Sequence, residues 1–253
     1  PLVEILRGVS LKLTHPLEDS RWFGIAAAGV LQGDTYVHER FPVPKDVGEA
    51  QRAFGWSPEC VVKLNDTEAQ TYWLIQPWEQ IRRKSRPLVR ANGHLKQSGN
   101  KVFIAVGTGL GIGFEMVDDS GPVSNVVIGR SEGGHLDLPD RSPFERHEEL
   151  MRFIEAQNGS GTNRLESLLS GDGIALIDRF LYGSNVDSVS VRSVLADHPA
   201  SVRVFNLYLG QAIRSLTVTV MATGGVWLWG GVLQRDPYII EPLDQHLRAS
   251  NQA

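Results

Sequence analysis

The sequence predicts an α/β fold in two lobes, a smaller one over residues 1–100 and a larger one with a helical insertion over 101–253. Three observations carry this reading. From residue 20 to 75, short β-branched or aromatic runs alternate with stretches of i, i+3, i+4 apolar spacing, the pattern of strands interleaved with helices. Two further strand-like runs form an apparent hairpin, after which helical spacing dominates 142–222. A final apolar strand follows the longest helix, which favours a mostly helical second lobe.

The strands are expected at Phe23–Ala28, Cys60–Leu64, Val102–Val106, Gly113–Val117, Asn125–Ile128 and Gly225–Trp229. Asp46 and Glu49 have cap spacing for a short helix ending near Phe54. Ser142-Pro143-Phe144-Glu145 has the form of a capping box, with Pro in the first turn of a helix reaching about Gln157. Leu207, Ile213, Leu216 and Val220 mark a long helix that runs into Thr223-Gly224-Gly225. The lobe boundary is expected within 76–100, where Arg82, Arg83, Lys84, Arg86, Arg90, Lys96 and Lys101 gather around Pro87, Gly93 and Gly99. This reads as a solvated linker. A nucleic-acid surface would interleave aromatics among these charges, and none lies between Trp78 and Phe103.

Composition narrows the class. With 253 residues and 42% hydrophobic content the chain can bury a sizeable core, so disorder and disulfide-dependent mini-folds are excluded. A net charge of −4 gives no global attraction to nucleic acid or anionic lipid. The single cysteine, Cys60, excludes a disulfide framework and a multi-thiolate metal site. No apolar run approaches the roughly 20 residues of a membrane span. The chain begins at Pro1 with no basic-then-apolar leader. The expectation is a soluble, cytoplasmic protein without a membrane or nucleic-acid partner, and an internal piece of a longer chain.

Five stretches can carry chemistry. In Asn65-Asp66-Thr67-Glu68 a strand gives way to a helix, which places Asp66 at a strand C-terminus where open α/β sheets bind ligands. Asp66 reads equally as an N-cap, and the two roles are compatible. Gly107-Thr108-Gly109-Leu110-Gly111 lies between two strands, where glycines let backbone N–H groups approach an anion; a plain Gly-rich hairpin is the other reading. It is neither a Rossmann fingerprint, since a strand follows, nor a Walker loop, since no Gly-Lys-Ser/Thr occurs. In Glu132-Gly133-Gly134-His135 a carboxylate and an imidazole three apart can face one polyhydroxylated ligand, or form a polar surface loop. No third metal ligand is close by, so no metal site is expected.

Glu166 appears late in an amphipathic helix that ends at Ser170-Gly171, a position the helix dipole disfavours by a few tenths of a kcal/mol. That small penalty hints at another job. Finally, Gly224-Gly225 and Gly230-Gly231 bracket an apolar strand; the second pair either lets a flat ring or phosphate approach the backbone or simply makes a tight turn.

Taken in order, Asn-Asp after a strand, Gly-Thr-Gly-Leu-Gly, Glu-Gly-Gly-His, Glu-x-x-Leu-Ser-Gly-x-Gly and Gly-Gly-Val-x-x-x-Gly-Gly resemble the bacterial glucokinase family, within the hexokinase/actin/Hsp70 ATPase superfamily. The resemblance runs from about Phe23 to Val232, with Ala27–Asp34 a looser match to the family's early strand and turn. It implies an actin-like ATPase (ribonuclease H-like) two-lobe architecture, here incomplete at both the N- and C-terminal ends. It also implies ATP-dependent phosphorylation of a hexose, glucose above all, with ATP and Mg2+ as cofactors and a homodimer as the assembly.

By the same resemblance Asp66 is the general base for the sugar 6-hydroxyl, and Asn65, Glu132, His135 and Glu166 bind the other hydroxyls. Gly107, Thr108 and Gly109 hold the nucleotide phosphates, Gly230 and Gly231 line the nucleotide side, and lobe closure excludes water. Three departures stand against it. No Asp-x-Gly-Gly-Thr precedes Phe23, the family's closing strand and helix do not follow the last glycine pair, and Tyr36–Pro44 replaces a sugar-contacting Thr-Asn-x-x-Trp. The related ROK kinases carry a zinc cluster of cysteines, which Cys60 alone cannot make, and ROK repressors need a helix-turn-helix that is not seen. The alternative is a non-catalytic sugar-binding or regulatory module derived from such a kinase.

Overall fold

A computed structural model describes residues 2–12, 16–37, 45–88, 98–121, 124–159, 161–190, 192–243 and 247. Arg90, Gly93 and Lys96 of the expected linker, and His38–Pro44, lie outside the described residues. The chain divides into two compact units, Pro1–Tyr72 and Trp73–Ala253. This division falls earlier than the 100/101 boundary expected from composition, and its reason is aromatic. Trp73 and Trp78 stand edge-on to Trp227 at 6.2 and 5.9 Å, and Trp73 lies 6.3 Å from Trp229, so the segment after Tyr72 packs on a strand of the second unit.

In the first unit, helix α1 (Leu2–Ser10) buries Leu2 and Val3. Strand β1 (Phe23–Ala27) is followed by β2 (Val30–Gln32), β3 (Thr35–Val37) and β4 (Lys45–Asp46), which form an antiparallel meander. Helix α2 (Val47–Phe54) opens where sequence placed it, with the Asp46 carboxylate accepting the Glu49 N–H at 3.0 Å, and ends at Gly55 in the left-handed region. Strand β5 (Val61–Asn65) pairs parallel with β1, Phe23 against Val61 through Ala27 against Asn65. The fully buried Tyr36 ties the layers together, because its hydroxyl donates toward the Leu64 carbonyl at 2.7 Å, with the Ile25 carbonyl at 3.1 Å as second acceptor. Trp56 is stacked on Phe23 and Phe54 at 4.0 and 4.8 Å while its Nε1–H donates to Leu17 O. Such pairs add about 0.5–1.5 kcal/mol beyond area burial. Helix α3 (Asp66–Thr71) follows β5 without a loop.

The second unit starts with α4 (Trp78–Lys84) and is built on a sheet of β6 (Lys101–Val106), β7 (Leu110–Asp118), β8 (Asn125–Gly129) and β9 (Val226–Trp229), in the order β8-β7-β6-β9. β6 and β7 make the expected antiparallel hairpin, and β9 runs parallel to β6. β6 is apolar along nearly its whole length because both faces are covered; Lys101 and Glu115, paired across β6 and β7, form a buried ion pair. Helices α5 (His147–Asn158), α6 (Gly171–Tyr182), α7 (Arg192–Leu195), α8 (Pro199–Val220) and α9 (Gly231–Arg235) complete the unit. The 22-residue α8 is the long helix expected from its apolar spacing, and it packs on α6 and β6 through residues such as Phe205, Leu209 and Leu216.

Two helix boundaries differ from expectation. The Ser142 hydroxyl accepts the nearby Phe144 N–H at 3.3 Å rather than a donor three residues on, so residues 142–146 form a turn and α5 starts only at His147. Glu166 does not sit late in a helix. It belongs to a single 3-10 turn, Leu165–Ser167, and Ser170 opens α6 by accepting the Gly173 N–H at 3.0 Å. Leu165, Leu168 and Leu169 are buried at helix-like spacing without forming one helix, which is what misled the periodicity. The helix-dipole argument about Glu166 therefore falls.

Candidate functional site

In the first unit, the residues of interest lie where β5 runs into α3. Both Asn65 and Asp66 are good N-caps by type, and the structure gives the role to Asn65. Its Oδ1 accepts the N–H groups of Thr67 and Glu68 at 2.9 and 3.3 Å, and the Glu68 carboxylate reaches back to the Asn65 N–H at 3.1 Å. This reciprocal capping box satisfies donors that helix geometry leaves open. The Asn65 Nδ2 also donates to Gly29 O at 3.2 Å, pinning the turn after β1.

Asp66 is consequently the first helical residue. One of its carboxylate oxygens accepts the Thr67 N–H at 2.8 Å, with the Thr67 hydroxyl at 3.4 Å. The other makes no hydrogen bond among the described residues. Half-buried and held at its base, it is an acceptor with one free face. A cavity of about 370 Å³ lined by Arg21, Trp22, Phe23, Trp56 and Cys60 lies at the opposite, N-terminal ends of β1 and β5.

In the second unit, Gly107–Gly109 form the tight turn between β6 and β7. The Gly107 N–H donates to Gly109 O at 3.0 Å, Gly107 O accepts the Gly171 N–H at 2.8 Å, and Thr108 is exposed at the tip. The nearest atom to a Cβ placed on Gly107 would be Gly109 O at 3.9 Å, so that face of the backbone is open. Glu132, His135 and Glu166 come together beside this turn. His135 Nε2 is 3.1 Å from Glu166 Oε1, His135 Nδ1 is 3.9 Å from Glu132 Oε2, and Glu166 Oε2 lies 3.4 Å from the place a Cβ on Gly109 would take.

The two glycines between Glu132 and His135 have a packing reason. A Cβ on Gly134 would run into the Leu110 carbonyl, and one on Gly133 would press on Ile112 and the Ser131 hydroxyl, which itself accepts the Gly133 N–H at 2.8 Å. Two carboxylates and an imidazole, all partly exposed, make an array of acceptors with one switchable donor, suited to adjacent hydroxyl groups. Gly230 has φ +113 and lies so close to Val106 that any Cβ would collide with that residue's backbone, whereas the space over Gly231 is bounded by the Arg235 guanidinium.

Sequence reading missed Glu68 and Arg235. The first was legible as the partner in Asn65-x-x-Glu68; the second appears only once α9 is known to bring a residue four positions on over Gly231. Among the described residues no group of three or more His, Cys, Asp or Glu is placed to hold a metal ion, and no helix is long and apolar enough to cross a membrane.

The glucokinase family model matches residues 15–245. A glucokinase of Sinorhizobium medicae (strain WSM419) is 30% identical over 203 residues, covering 73% of this chain and 54% of that protein. One of Rhizobium meliloti (strain 1021) is 28% identical over 232 residues, covering 83% and 61%. The chain thus spans about half to three-fifths of the length of these curated relatives. Among solved structures, glucokinase from Balamuthia mandrillaris in complex with glucose aligns at a TM-score of 0.75 and 18% identity over 98% of this chain and 74% of that one. That likeness establishes the mixed α/β, actin-like ATPase fold expected from the motifs. The chain belongs to the glucokinase family.

Proposed function

We propose that the protein phosphorylates a hexose, glucose by preference, at its 6-hydroxyl with ATP as donor. The observation that carries this reading is the cluster of Glu132, His135 and Glu166 beside the Gly107–Gly109 turn, a polyol-binding array next to an open backbone. MgATP, when bound, supplies the phosphoryl group and a metal that neutralises charge on its oxygens. The exposed Thr108 and the open face of Gly107 fit an anion that must approach the backbone closely, with Gly109, Gly230 and Gly231 shaping the same corner.

Asp66 offers its free carboxylate oxygen to the proton of the attacking hydroxyl, and its bonds from Thr67 fix the direction of that oxygen. Asn65 has one amide N–H beyond the bond to Gly29, available to a neighbouring sugar hydroxyl. Glu132 and Glu166 accept from the remaining hydroxyls, while His135, oriented by Glu166, donates or accepts as its tautomer dictates. Positioning and charge stabilisation dominate phosphoryl transfer, so this inventory needs no covalent intermediate. A cytoplasmic homodimer belongs to the same reading.

The test is coupled ADP production across a panel of hexoses, with Asp66→Asn beside the unaltered chain. Loss of turnover by a factor on the order of 10²–10⁴, with sugar affinity within a few-fold, supports the assignment. Unchanged turnover in Asp66→Asn overturns the base. Sugar binding with no response to nucleotide would instead favour the non-catalytic sugar-binding module.

A further inference from the structure

Helix α9 is only five residues long, and its last residue, Arg235, folds back over its first. The three atoms nearest to a Cβ placed on Gly231 all belong to the Arg235 guanidinium, with Nη2 at 3.8 Å and Cζ and Nε at 4.0 Å. The side chain belongs to an exposed residue and makes no ion pair or hydrogen bond among the described residues. The i, i+4 spacing of a helical turn brings the Arg235 side chain over position 231, where no side chain stands in its way. Here the glycine leaves room for the guanidinium plane.

The location gives this group a use. Val232, next to Gly231, has its Cγ2 at 3.6 Å from the Cβ position of Gly171, and that same position is 3.5 Å from Gly107 O. The start of α9, the start of α6 and the turn between β6 and β7 therefore share one corner of the second unit. Gly107, Thr108, Gly109, Gly171, Gly230 and Gly231 supply that corner with backbone groups and one hydroxyl, but no positive charge. A di- or triphosphate carries several negative charges, and backbone donors alone leave most of them uncompensated.

We infer that Arg235 is a phosphate-binding residue, whose guanidinium donates paired N–H groups to the phosphate oxygens of the nucleotide. The planar fork of arginine matches two phosphate oxygens, which the point charge of lysine does not. This rests on the nucleotide reading of the glycine turn given above. It adds a residue to it that neither motif nor spacing pointed to.

The experiment is calorimetric titration of the whole chain, the Arg235→Ala and Arg235→Gln variants and the Arg235→Lys variant, with ADP, pyrophosphate and, separately, glucose. Removing a charged hydrogen-bond partner predicts about 10- to 100-fold weaker ADP and pyrophosphate binding in Arg235→Ala and Arg235→Gln, with glucose affinity within two-fold. Arg235→Lys should recover part of the loss, and more of it for pyrophosphate at low salt. ADP affinity unchanged in both neutral variants overturns the inference, as does an equal loss for glucose, which would mean a local collapse. An unaltered chain that binds glucose but neither ADP nor pyrophosphate overturns the nucleotide reading itself. Because Arg235 is exposed and unpaired, its variants should melt with the unaltered chain, and Arg235→Gln keeps the length of the side chain should Arg235→Ala fail to.

Discussion

His135 Nε2 stands 3.1 Å from Glu166 Oε1, joining a 3-10 turn after β8 to another just before α6. Neither residue is held there by a helix. Both are held by packing of their neighbours, Gly134 against Leu110 and the buried Leu165 within the core. The pair is therefore a fixed feature of the second unit, and its partners are free to face a ligand.

The first prediction concerns that pair. Glu166→Ala removes a charged acceptor and should weaken glucose binding by about 1.5–3 kcal/mol, read by calorimetry, while ADP affinity stays within about two-fold. Glu166→Gln keeps one acceptor oxygen and should lose less. An Ala variant that binds glucose normally would remove Glu166 from the sugar site.

The second concerns the capping box at the start of α3. Glu68 is buried and accepts the Asn65 N–H. Glutamine preserves that acceptor, so Glu68→Gln should be close to neutral in urea unfolding. Glu68→Ala leaves a buried donor unsatisfied and should cost about 1–2 kcal/mol. Turnover should follow the same order, because the box fixes the backbone that carries Asp66. Equal stability of the two variants would show that the bond contributes nothing.

These residues also show how far the sequence could be read. The strands Val102–Val106 and Asn125–Ile128 were legible to within a residue because short β-branched runs mark both, although only the first is covered. The hairpin turn was legible as a glycine-rich stretch between two strand-like runs, although a Cβ on Gly107 would meet nothing nearer than Gly109 O at 3.9 Å. Glu166 was misplaced because leucine spacing records burial, and a 3-10 turn followed by an N-cap buries the same residues as a helix. Asp66 reads as the N-cap of α3 in the sequence, but the structure gives that role to Asn65, which is also tied to Gly29, distant in sequence and adjacent in space. Arg235 was invisible for the same reason: its meaning comes from the corner that it folds over.

The third prediction separates the two glycines at the end of β9. A side chain at position 230 meets the backbone of Val106 at the end of β6 and must adopt φ +113, so Gly230→Ala should destabilise by roughly 3 kcal/mol or more or fail to fold. At position 231 the nearest atoms stand at 3.8 Å and belong to a flexible side chain. Gly231→Ala should fold, with thermal stability near that of the parent chain. A well-folded Gly230→Ala would refute the close approach of these strands.

The last prediction is a pH dependence in the core of the second unit. Tyr208 on α8 is fully buried, its hydroxyl 2.7 Å from His147 Nδ1 at the start of α5. Burial pushes its ionisation up to about 12 from an ordinary 10.0. The folded state thus holds this proton more tightly than the unfolded chain does. The resulting stability is fully present below pH 10.0 and is lost as pH rises towards about 12. Tyr208→Phe removes the titrating group together with the bond to His147, so at pH 8 it should be less stable than the parent chain by about 1 kcal/mol. Between pH 10 and 12 the parent chain should lose that advantage and then fall below the variant, so the two urea-unfolding curves should cross, since only the tyrosine releases a proton on unfolding. A gap that stays constant across this range would mean that the hydroxyl is hydrated in the folded state, contrary to its burial between α5 and α8.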